Sequence, residues 1–345
     1  MDIFIIIKIL FLTTLAAAVA VAWTPFLTHF LYKYKLGKSI RNSGATPIFS
    51  RLHERKKGTP TMGGLLIWVT VLLLALFFYY AANLFGNDFF VRMNFLTRSQ
   101  TLLPLGCLVA AAIVGLFDDM LDVRSNGQGG LRMKHRIFIY ALIALSGALW
   151  FFFKLDWDIL HIPFWGNVAI GWWYIPVFMF IIVATAFSVN EIDGLDGLAG
   201  GTLLTAFAAY GVIAFVQGKY DLAAFCAVII GALIAFLWFN IKPARFIMGD
   251  TGAMSLGITL GVIAMLTNQA LLLPVIGFLF VVEALSFLIQ VASKKLRHGK
   301  KIFLSAPIHH HLEAIGWPEE KIVMRFWLIS GITSVIGLIL FLLEK

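Results

Sequence analysis

Apolar residues dominate this chain in long runs, and polar residues are gathered into short segments between them. Ten runs are long enough to cross ~30 Å of hydrocarbon, which takes about 20 helical residues. The pattern therefore predicts an all-α polytopic integral membrane protein with about ten transmembrane helices. The predicted spans are 3–31, 62–82, 100–118, 137–153, 173–189, 198–216, 222–239, 252–267, 271–292 and 323–343.

The composition excludes a water-soluble globular protein. Of the 345 residues, 60% are hydrophobic and 13% are charged, whereas soluble domains carry about 25% charged residues. The first apolar run lacks a basic leading segment and a small-residue cleavage site, so we interpret it as a retained span. Cys107 and Cys226 lie inside apolar runs, which is typical of core packing. The simplest organisation is one transmembrane domain, 1–345.

Basic residues are distributed unequally between the two sides of the predicted membrane. Loops that follow odd-numbered spans hold 21 of the 27 Lys and Arg residues, and the other side holds six. Cytoplasmic loops are enriched in Lys and Arg, so both termini are predicted to be periplasmic. The net charge of +9 then reflects membrane orientation, and no nucleic acid partner is expected. The predicted cytoplasmic loops are 33–61, 118–136, 190–197, 240–251 and 293–325.

The segment "GLFDDMLD" places Asp118, Asp119 and Asp122 at the end of the third span. Adjacent carboxylates repel each other and resist desolvation, so they require a metal ion, a cation or water nearby. A solvated helix end is the structural alternative for this cluster when it is considered alone, and a functional role is favoured over it.

The segment "NEIDGLDGLAGG" follows the fifth span. In a helix, Asn190, Asp193 and Asp196 would share one face. Gly197 and Gly201 form a small-xxx-small pair suited to close helix packing, which explains the glycines but not the acids. Acidic residues at membrane depth are functional candidates, so we favour a functional role for this cluster.

The segment "IMGDTG" places Asp250 at the predicted start of the eighth span, where it could cap the helix or bind a metal ion. Three cytoplasmic loops thus each offer carboxylates, without Cys ligands or spaced His ligands. Such a set predicts an oxygen-ligand site for Mg²⁺ or Mn²⁺.

The two remaining cytoplasmic loops are basic. The first ends in "HERKKGTPTMGG", with His53, Arg55, Lys56 and Lys57, and the last holds a basic run from Lys294 to Lys301. Anionic lipid is the better explanation for the second run.

The last loop also contains the triplet His309, His310 and His311. Zinc sites normally need spaced ligands, so hydrogen bonding to phosphate is favoured for this triplet. Acids for a metal ion and bases for phosphates together suggest two substrates, a nucleotide diphosphate and a lipid phosphate. No P-loop segment is present in the sequence.

Five segments carry a family resemblance: "KKGTPTMGG", "FDD", "NEIDGLDGLAGG", "FNIKPARFIMGDTG" and "PIHHHLEAIGWPEEKIVMRFW". With these the chain resembles the phospho-N-acetylmuramoyl-pentapeptide-transferase family of polyprenyl-phosphate N-acetylhexosamine-1-phosphate transferases. The resemblance implies transfer of phospho-MurNAc-pentapeptide from UDP-MurNAc-pentapeptide to undecaprenyl phosphate, giving lipid I and UMP with Mg²⁺. It also implies ten helices, a homodimer and a place in the bacterial cytoplasmic (inner) membrane.

The resemblance also implies roles for individual residues. Asp118, Asp119, Asp250 and His309 would be catalytic, and Asp250 would bind the metal ion. Substrate would be bound by residues from four of the cytoplasmic loops, namely Lys56, Asn190, Asp193, Asp196, Asn240, His310 and His311.

Two positions depart from the family pattern. Asp122 stands where the family usually has Lys, so one phosphate-binding cation is either missing or replaced by Arg124, Arg132 or Lys134. Ile247 stands where the family has an aromatic residue expected to stack on uracil, with Phe246 next to it.

Two other functions fit part of the pattern. A sister transferase that uses UDP-GlcNAc would share the acidic loops, but "HHH" and "GWPEE" argue against it. A cation-coupled transporter would place its acids near the membrane midplane, whereas these acids lie at one surface. For the transferase itself, direct attack by the lipid phosphate is favoured over a phospho-aspartyl intermediate.

Overall fold

The computed structural model describes residues 3–37, 56, 58–125 and 130–345. One antiparallel hairpin joins β1 (Ile159–Ile162) to β2 (Gly166–Ala169). The α-helices of the described residues, in chain order, are α1 (Ile3–Lys33), α2 (Leu65–Phe85), α3 (Asp88–Met93), α4 (Leu102–Arg124), α5 (Met133–Lys154), α6 (Tyr174–Ile192), α7 (Leu198–Val216), α8 (Tyr220–Asn240), α9 (Gly249–Leu266), α10 (Leu273–Ile276), α11 (Phe278–Leu296), α12 (Ile308–Ala314) and α13 (Glu319–Leu343).

The described part of the chain confirms the predicted all-α polytopic membrane fold. Nine of its helices are long and apolar enough to cross a membrane. The predicted span 271–292 is not one continuous helix, because the chain bends by 82° between α10 and α11. Gly277 lies at the bend, where an added Cβ would come within 2.7 Å of the Phe280 ring and 3.0 Å of the Leu273 carbonyl oxygen. If the bent pair counts as one span, the total is ten.

The most deeply buried helix is α9, with 94% of its span inside the protein, whereas α1 is 22% buried. Small residues let neighbouring helices come close to α9. An added Cβ on Gly257 would lie 2.8 Å from the Ala186 Cα of α6, and one on Gly115 of α4 would lie 2.4 Å from the Asp250 carbonyl oxygen. The helix that carries Asp250 is therefore fixed on several sides.

Lys8 is a charged residue within the apolar helix α1, and its ammonium group has partners. Its Nζ lies 3.0 Å from Asp221 Oδ1 and donates to the Asn94 carbonyl oxygen at 2.8 Å. A lone charge at this depth would be costly, so the pair fixes α1 against the start of α8.

The β-hairpin between α5 and α6 contacts the C-terminal end of the chain. His161 Nε2 of β1 lies 2.9 Å from Glu344 Oε2, and its backbone N–H donates to Asn268 Oδ1 at 3.0 Å. The hairpin therefore contacts both the connection that follows α9 and the residue that follows α13 at one end of the bundle, and the acidic and histidine segments lie at the other end.

Replacement of Gly231 by Ala is expected to loosen the packing of α1 against α8. The new Cβ would lie 2.1 Å from the Thr13 carbonyl oxygen, and such overpacking costs about 1–3 kcal/mol. Thermal unfolding of the purified protein in detergent measures the change. Gly106→Ala, a glycine in α4 with nothing within 4 Å of an added Cβ, is the matched control. An equal loss in both variants would contradict the packing argument.

Candidate active site

Side chains from four helices meet around one guanidinium group, that of Arg136 in the first turn of α5. Its Nε lies 2.7 Å from Asp118 Oδ2 of α4, and its second amino group lies 2.7 Å from Asp250 Oδ2 of α9. Asn190 of α6 accepts from Arg136 at 3.1 Å and donates to Asp250 Oδ1 at 2.6 Å. Arg136 thus brings together three residues of the predicted site, namely Asp118, Asn190 and Asp250.

Arg136 was not singled out by the sequence analysis, which named Arg124, Arg132 and Lys134 as replacements for the missing family lysine. The structure places Arg136 between the Asp118 and Asp250 carboxylates, so it offsets their mutual repulsion. Its position directly before the predicted fourth span was the available signal, because charged residues at membrane borders need partners.

Asp119 has a different task from its neighbour Asp118. Its Oδ1 accepts from the backbone N–H of Asp250 at 3.1 Å, and its Oδ2 accepts from that of Thr251 at 3.0 Å. The Thr61 hydroxyl also donates to Oδ1, at 3.1 Å. The first amide groups of a helix have no partner within it, so Asp119 acts as the N-terminal cap of α9 from another helix.

This capping arrangement depends on Gly249. The residue has a positive φ of 73°, and an added Cβ would lie 2.6 Å from Asp119 Oδ2 and 2.5 Å from Thr61 Oγ1. Asp250 therefore lies in the first turn of α9 rather than at its cap position, and its carboxylate is free to face Arg136.

The glycine-rich segment before α2 is hydrogen-bonded to the segment before α9. Gly63 and Gly64 donate from their backbone N–H groups to the carbonyl oxygens of Ile247 and Met248, each at 2.8 Å. Ile247 in turn donates to the Pro60 carbonyl oxygen at 2.8 Å. These three bonds define the loop ladder, 60–64 with 247–248, which fixes the backbone that leads into Asp250.

A second charged cluster surrounds Lys56. Its Nζ donates to Asp196 Oδ1 at 2.8 Å and also to the Glu319 carboxylate. Glu319, the first residue of α13, is buried and was not assigned a role by the sequence analysis. The signal available was its place in the segment "GWPEE", which lies within the last loop of the predicted site.

Asn240 lies beside this cluster, and both ends of its amide are used within the protein. Its Oδ1 accepts from the Gly197 N–H at 2.9 Å, and its Nδ2 donates to the Phe246 carbonyl oxygen at 2.8 Å. The side chain therefore connects the start of α7 to the loop before α9.

The aromatic ring next to the departure at Ile247 belongs to the core. Phe246 is fully buried, with ring centroids 5.9 Å from Phe236 and 6.2 Å from Phe239. Ile247 is partly exposed. Phe246 therefore does not offer a stacking surface in place of the aromatic residue that the family has at 247.

The three histidines have different surroundings. His309 is fully buried, and its Nδ1 lies 2.8 Å from Glu283 Oε2 of α11. Burial lowers the pKa of the His309 imidazole, but the Glu283 carboxylate raises it, and the net pKa lies above its ordinary value. An added Cβ on Gly194 would lie 2.2 Å from His309 Nε2, so the ring packs on the "NEIDGLDG" segment.

His310 and His311 are also held by neighbours in the last loop. His310 Nδ1 lies 2.7 Å from Glu313 Oε2, and its ring packs edge-on against His309 with centroids 4.0 Å apart. His311 Nδ1 accepts from the Leu304 N–H at 3.2 Å. The triplet is thus a packed element of the loop, and its predicted contact with phosphate stays a prediction.

Other predicted residues lie around these clusters or outside them. Asp193 follows the last residue of α6 and is half-buried. Asp122 lies within α4, which continues to Arg124 beyond the predicted end of the third span. His53, Arg55 and Lys57 lie outside the described residues.

The carboxylate and amide oxygens around Arg136 are of the kind that bind metal ions. Within the described residues, no group of three or more His, Cys, Asp or Glu side chains could hold a metal ion. Asp118 and Asp250 with the Asn190 amide oxygen still form an oxygen donor set. Mg²⁺ is commonly bound by one or two carboxylates together with water and substrate phosphate, so these residues fit Mg²⁺ without forming a complete protein cage.

Two family models match parts of the chain. The glycosyl transferase family 4 model matches residues 101–268, and the phospho-N-acetylmuramoyl-pentapeptide-transferase signature 1 matches residues 56–67. The matched regions include the Arg136 cluster and Lys56.

Similar curated proteins carry the name phospho-N-acetylmuramoyl-pentapeptide-transferase. The protein of Chloroflexus aggregans is 40% identical over 91% of this chain and 84% of its own length. That of Geobacillus thermodenitrificans is 37% identical over 93% of this chain and 94% of its own length. That of Francisella philomiragia is 37% identical over 91% of this chain and 87% of its own length.

Removal of the Asp119 carboxylate is expected to destabilise the start of α9. Asp119→Ala leaves buried N–H groups without acceptors, which costs about 1–3 kcal/mol, and Asp119→Asn, which keeps one acceptor, loses less. Hydrogen exchange of residues 249–256 and thermal unfolding in detergent measure the effect. Asp88→Ala is the control, since Asp88 is 76% exposed and its ion pair among the described residues is with Arg92 of the same helix. Unchanged exchange at the start of α9 in Asp119→Ala would refute the capping role.

The His309–Glu283 pair predicts a pH-dependent stability. Because the folded pKa of His309 is raised, the pair stabilises the protein fully below about pH 6.5, the unfolded value, and loses this effect as pH rises through the folded pKa. The difference in melting temperature between wild type and Glu283→Gln should therefore shrink from pH 6 to pH 9. Glu191, Glu313 and His310 also face the ring and stay unchanged in both proteins.

The control for this measurement is His298→Gln, which removes an exposed histidine and should show no such trend. A difference between wild type and Glu283→Gln that is constant over the whole pH range would contradict the assignment of an ionic pair.

Proposed function

The chain belongs to the phospho-N-acetylmuramoyl-pentapeptide-transferase family, and on that basis we propose that it makes lipid I. The reaction transfers phospho-MurNAc-pentapeptide from UDP-MurNAc-pentapeptide to undecaprenyl phosphate and releases UMP. The observation that carries the proposal is the convergence of Asp118, Asn190 and Asp250 on Arg136 at one end of the membrane bundle. Phosphoryl transfer depends mainly on positioning and charge neutralisation, which such a cluster provides.

The proposed location is the bacterial cytoplasmic (inner) membrane, with the site facing the cytoplasm. The excess of Lys and Arg in the loops around the site supports this orientation. A homodimer is the assembly that the family resemblance implies.

The proposed cofactor is Mg²⁺, held by Asp250 together with Asn190 and Asp118. When bound, it would neutralise charge on the diphosphate of the nucleotide substrate. Arg136 would then serve the phosphates of the substrates as a fixed cation, and Lys56 would do so from the second cluster.

The lipid phosphate needs little help to become a nucleophile. A phosphate monoester has a second pKa of about 6, so it is largely dianionic at neutral pH. In the proposed direct attack, a lipid phosphate oxygen forms a bond to the phosphorus that carries the sugar. The bond from that phosphorus to the oxygen it shares with the uridylate breaks, and UMP leaves with the electron pair.

The contacts of the two adjacent aspartates support direct attack. Asp119 is occupied by the amide groups of α9. Asp118 Oδ1 accepts from the Leu131 N–H at 2.5 Å, and its Oδ2 faces Arg136. A carboxylate held in this way is suited to orienting a cation rather than to forming a covalent intermediate.

The first test follows UMP release by purified protein in detergent with undecaprenyl phosphate and Mg²⁺. UDP-MurNAc-pentapeptide should support release, and UDP-GlcNAc should not. Asp250→Ala should lower the rate by at least about 10²-fold, the scale of losing one key electrostatic group, while Asp88→Ala retains it. Release from UDP-GlcNAc alone would assign the protein to the sister transferases, and release from neither substrate by folded protein would refute the proposal.

A second test separates direct attack from the covalent route. The protein is incubated with nucleotide substrate and Mg²⁺ but without lipid, quenched, and analysed by peptide mass spectrometry. Direct attack predicts no modified Asp118 or Asp119 and no burst of UMP. A phosphorylated aspartate that is consumed on addition of undecaprenyl phosphate would establish the covalent route.

A further inference from the structure

Glu319 is the acceptor shared by three separate segments of the chain. Its carboxylate accepts from Lys56 Nζ and, through Oε1, from the backbone N–H of Asp196 at 2.8 Å, while Oε2 lies 3.2 Å from Lys242 Nζ. The side chain is only 6% exposed. A carboxylate buried to this degree needs such partners to offset its lost hydration.

Each charged group in this cluster has at least one oppositely charged partner. Lys56 contacts the carboxylates of Asp196 and Glu319, and Lys242 contacts Glu319 and Glu320. Glu319 is also the first residue of α13, where a helix N-terminus favours negative charge. Removal of Glu319 would leave Lys56 with one carboxylate in place of two and free its long side chain to move.

Glu319 also fixes the backbone that carries Asp196. The Asp196 N–H donates to Glu319, while Asp196 Oδ2 accepts from the Ala244 N–H at 3.1 Å. Trp327, two turns further along α13, donates from Nε1 to the Gly197 carbonyl oxygen at 3.0 Å. The start of α13 thus holds the segment 196–197 through two side chains, one of them ionic.

We propose that Glu319 is a positioning residue for nucleotide binding, which holds the Lys56 ammonium group and the Asp196 segment in place for the diphosphate substrate. This inference rests on the proposed function, because that function places Lys56 and Asp196 in the nucleotide pocket. Glu319 acts through these two residues and does not itself contact substrate.

Glu320 is a matched neighbour for the test. It has the same side chain and also contacts Lys242, at 2.9 Å, but it is 56% exposed, and within the described part of the chain it forms no salt bridge or side-chain hydrogen bond with Lys56 or Asp196. A general effect of removing negative charge from the start of α13 would appear in both residues, whereas a positioning effect belongs to Glu319 alone.

The experiment is a double-mutant cycle on Glu319 and Lys56, read as KM, kcat and the dissociation constant for UDP-MurNAc-pentapeptide. Glu319→Ala should raise KM and the dissociation constant about tenfold, with kcat changed less than about threefold. Because substitutions at residues in contact do not have additive effects, Glu319→Ala should weaken nucleotide binding little further in a protein that already carries Lys56→Ala. Glu319→Gln should recover part of the loss, because its amide oxygen still accepts from Asp196. Glu320→Ala should behave as wild type.

The contrary outcomes are distinct. Fully multiplicative effects of the two substitutions, or a fall in kcat at constant KM, would overturn the positioning role. An equal effect of Glu320→Ala would overturn it as well. If Glu319→Ala does not fold, a cycle of Glu319→Gln with Lys56→Ala tests the same coupling between the two residues. A wild type that neither binds nor uses the nucleotide would overturn the proposed function itself, whereas an active wild type with additive variants would overturn only this inference.

Discussion

The contact on which the site depends is the bond between the Asp119 carboxylate and the first amide groups of α9. It closes the end of the most deeply buried helix, where unpaired N–H groups would otherwise be costly. The cap comes from α4, so α4 and α9 are fixed to each other at the membrane surface. Asp118 and Asp250 are carried by these same two helices, and their mutual distance follows from this contact.

Charged side chains at this end of the bundle are held by ion pairs in the Arg136 and Lys56 clusters. Arg136 serves the carboxylates of Asp118 and Asp250, and Glu319 joins Lys56 to Lys242. Each cluster contains residues from segments far apart in sequence, because a charged group near hydrocarbon is stabilised by a partner on a neighbouring helix or loop. The clusters therefore act as crosslinks between helices, and the proposed function would add phosphate binding to that role.

The gathering of Asp118, Asn190 and Asp250 could be predicted, because hydrophobic spans of fixed length bring their ends to one surface. The different roles of Asp118 and Asp119 could not be predicted. Consecutive residues of a helix point about 100° apart, and hydropathy does not show which helices those two directions face. Arg136 was missed because its role also depends on which helices are neighbours in the bundle. The helical membrane fold was predicted, but the bend at Gly277 and the hairpin of β1 and β2 were not, because a local apolar pattern does not reveal them.

The loop ladder has a consequence for the thermodynamics of ligand binding. Segments 60–64 and 247–248 are already joined by three backbone hydrogen bonds, each of 2.8 Å. Ordering a residue of free backbone costs about 1–2 kcal/mol of conformational entropy, and here that loss is taken during folding. In the proposed function, a substrate bound next to Asp250 would meet backbone that is already ordered, and more of its contact energy would be expressed as affinity.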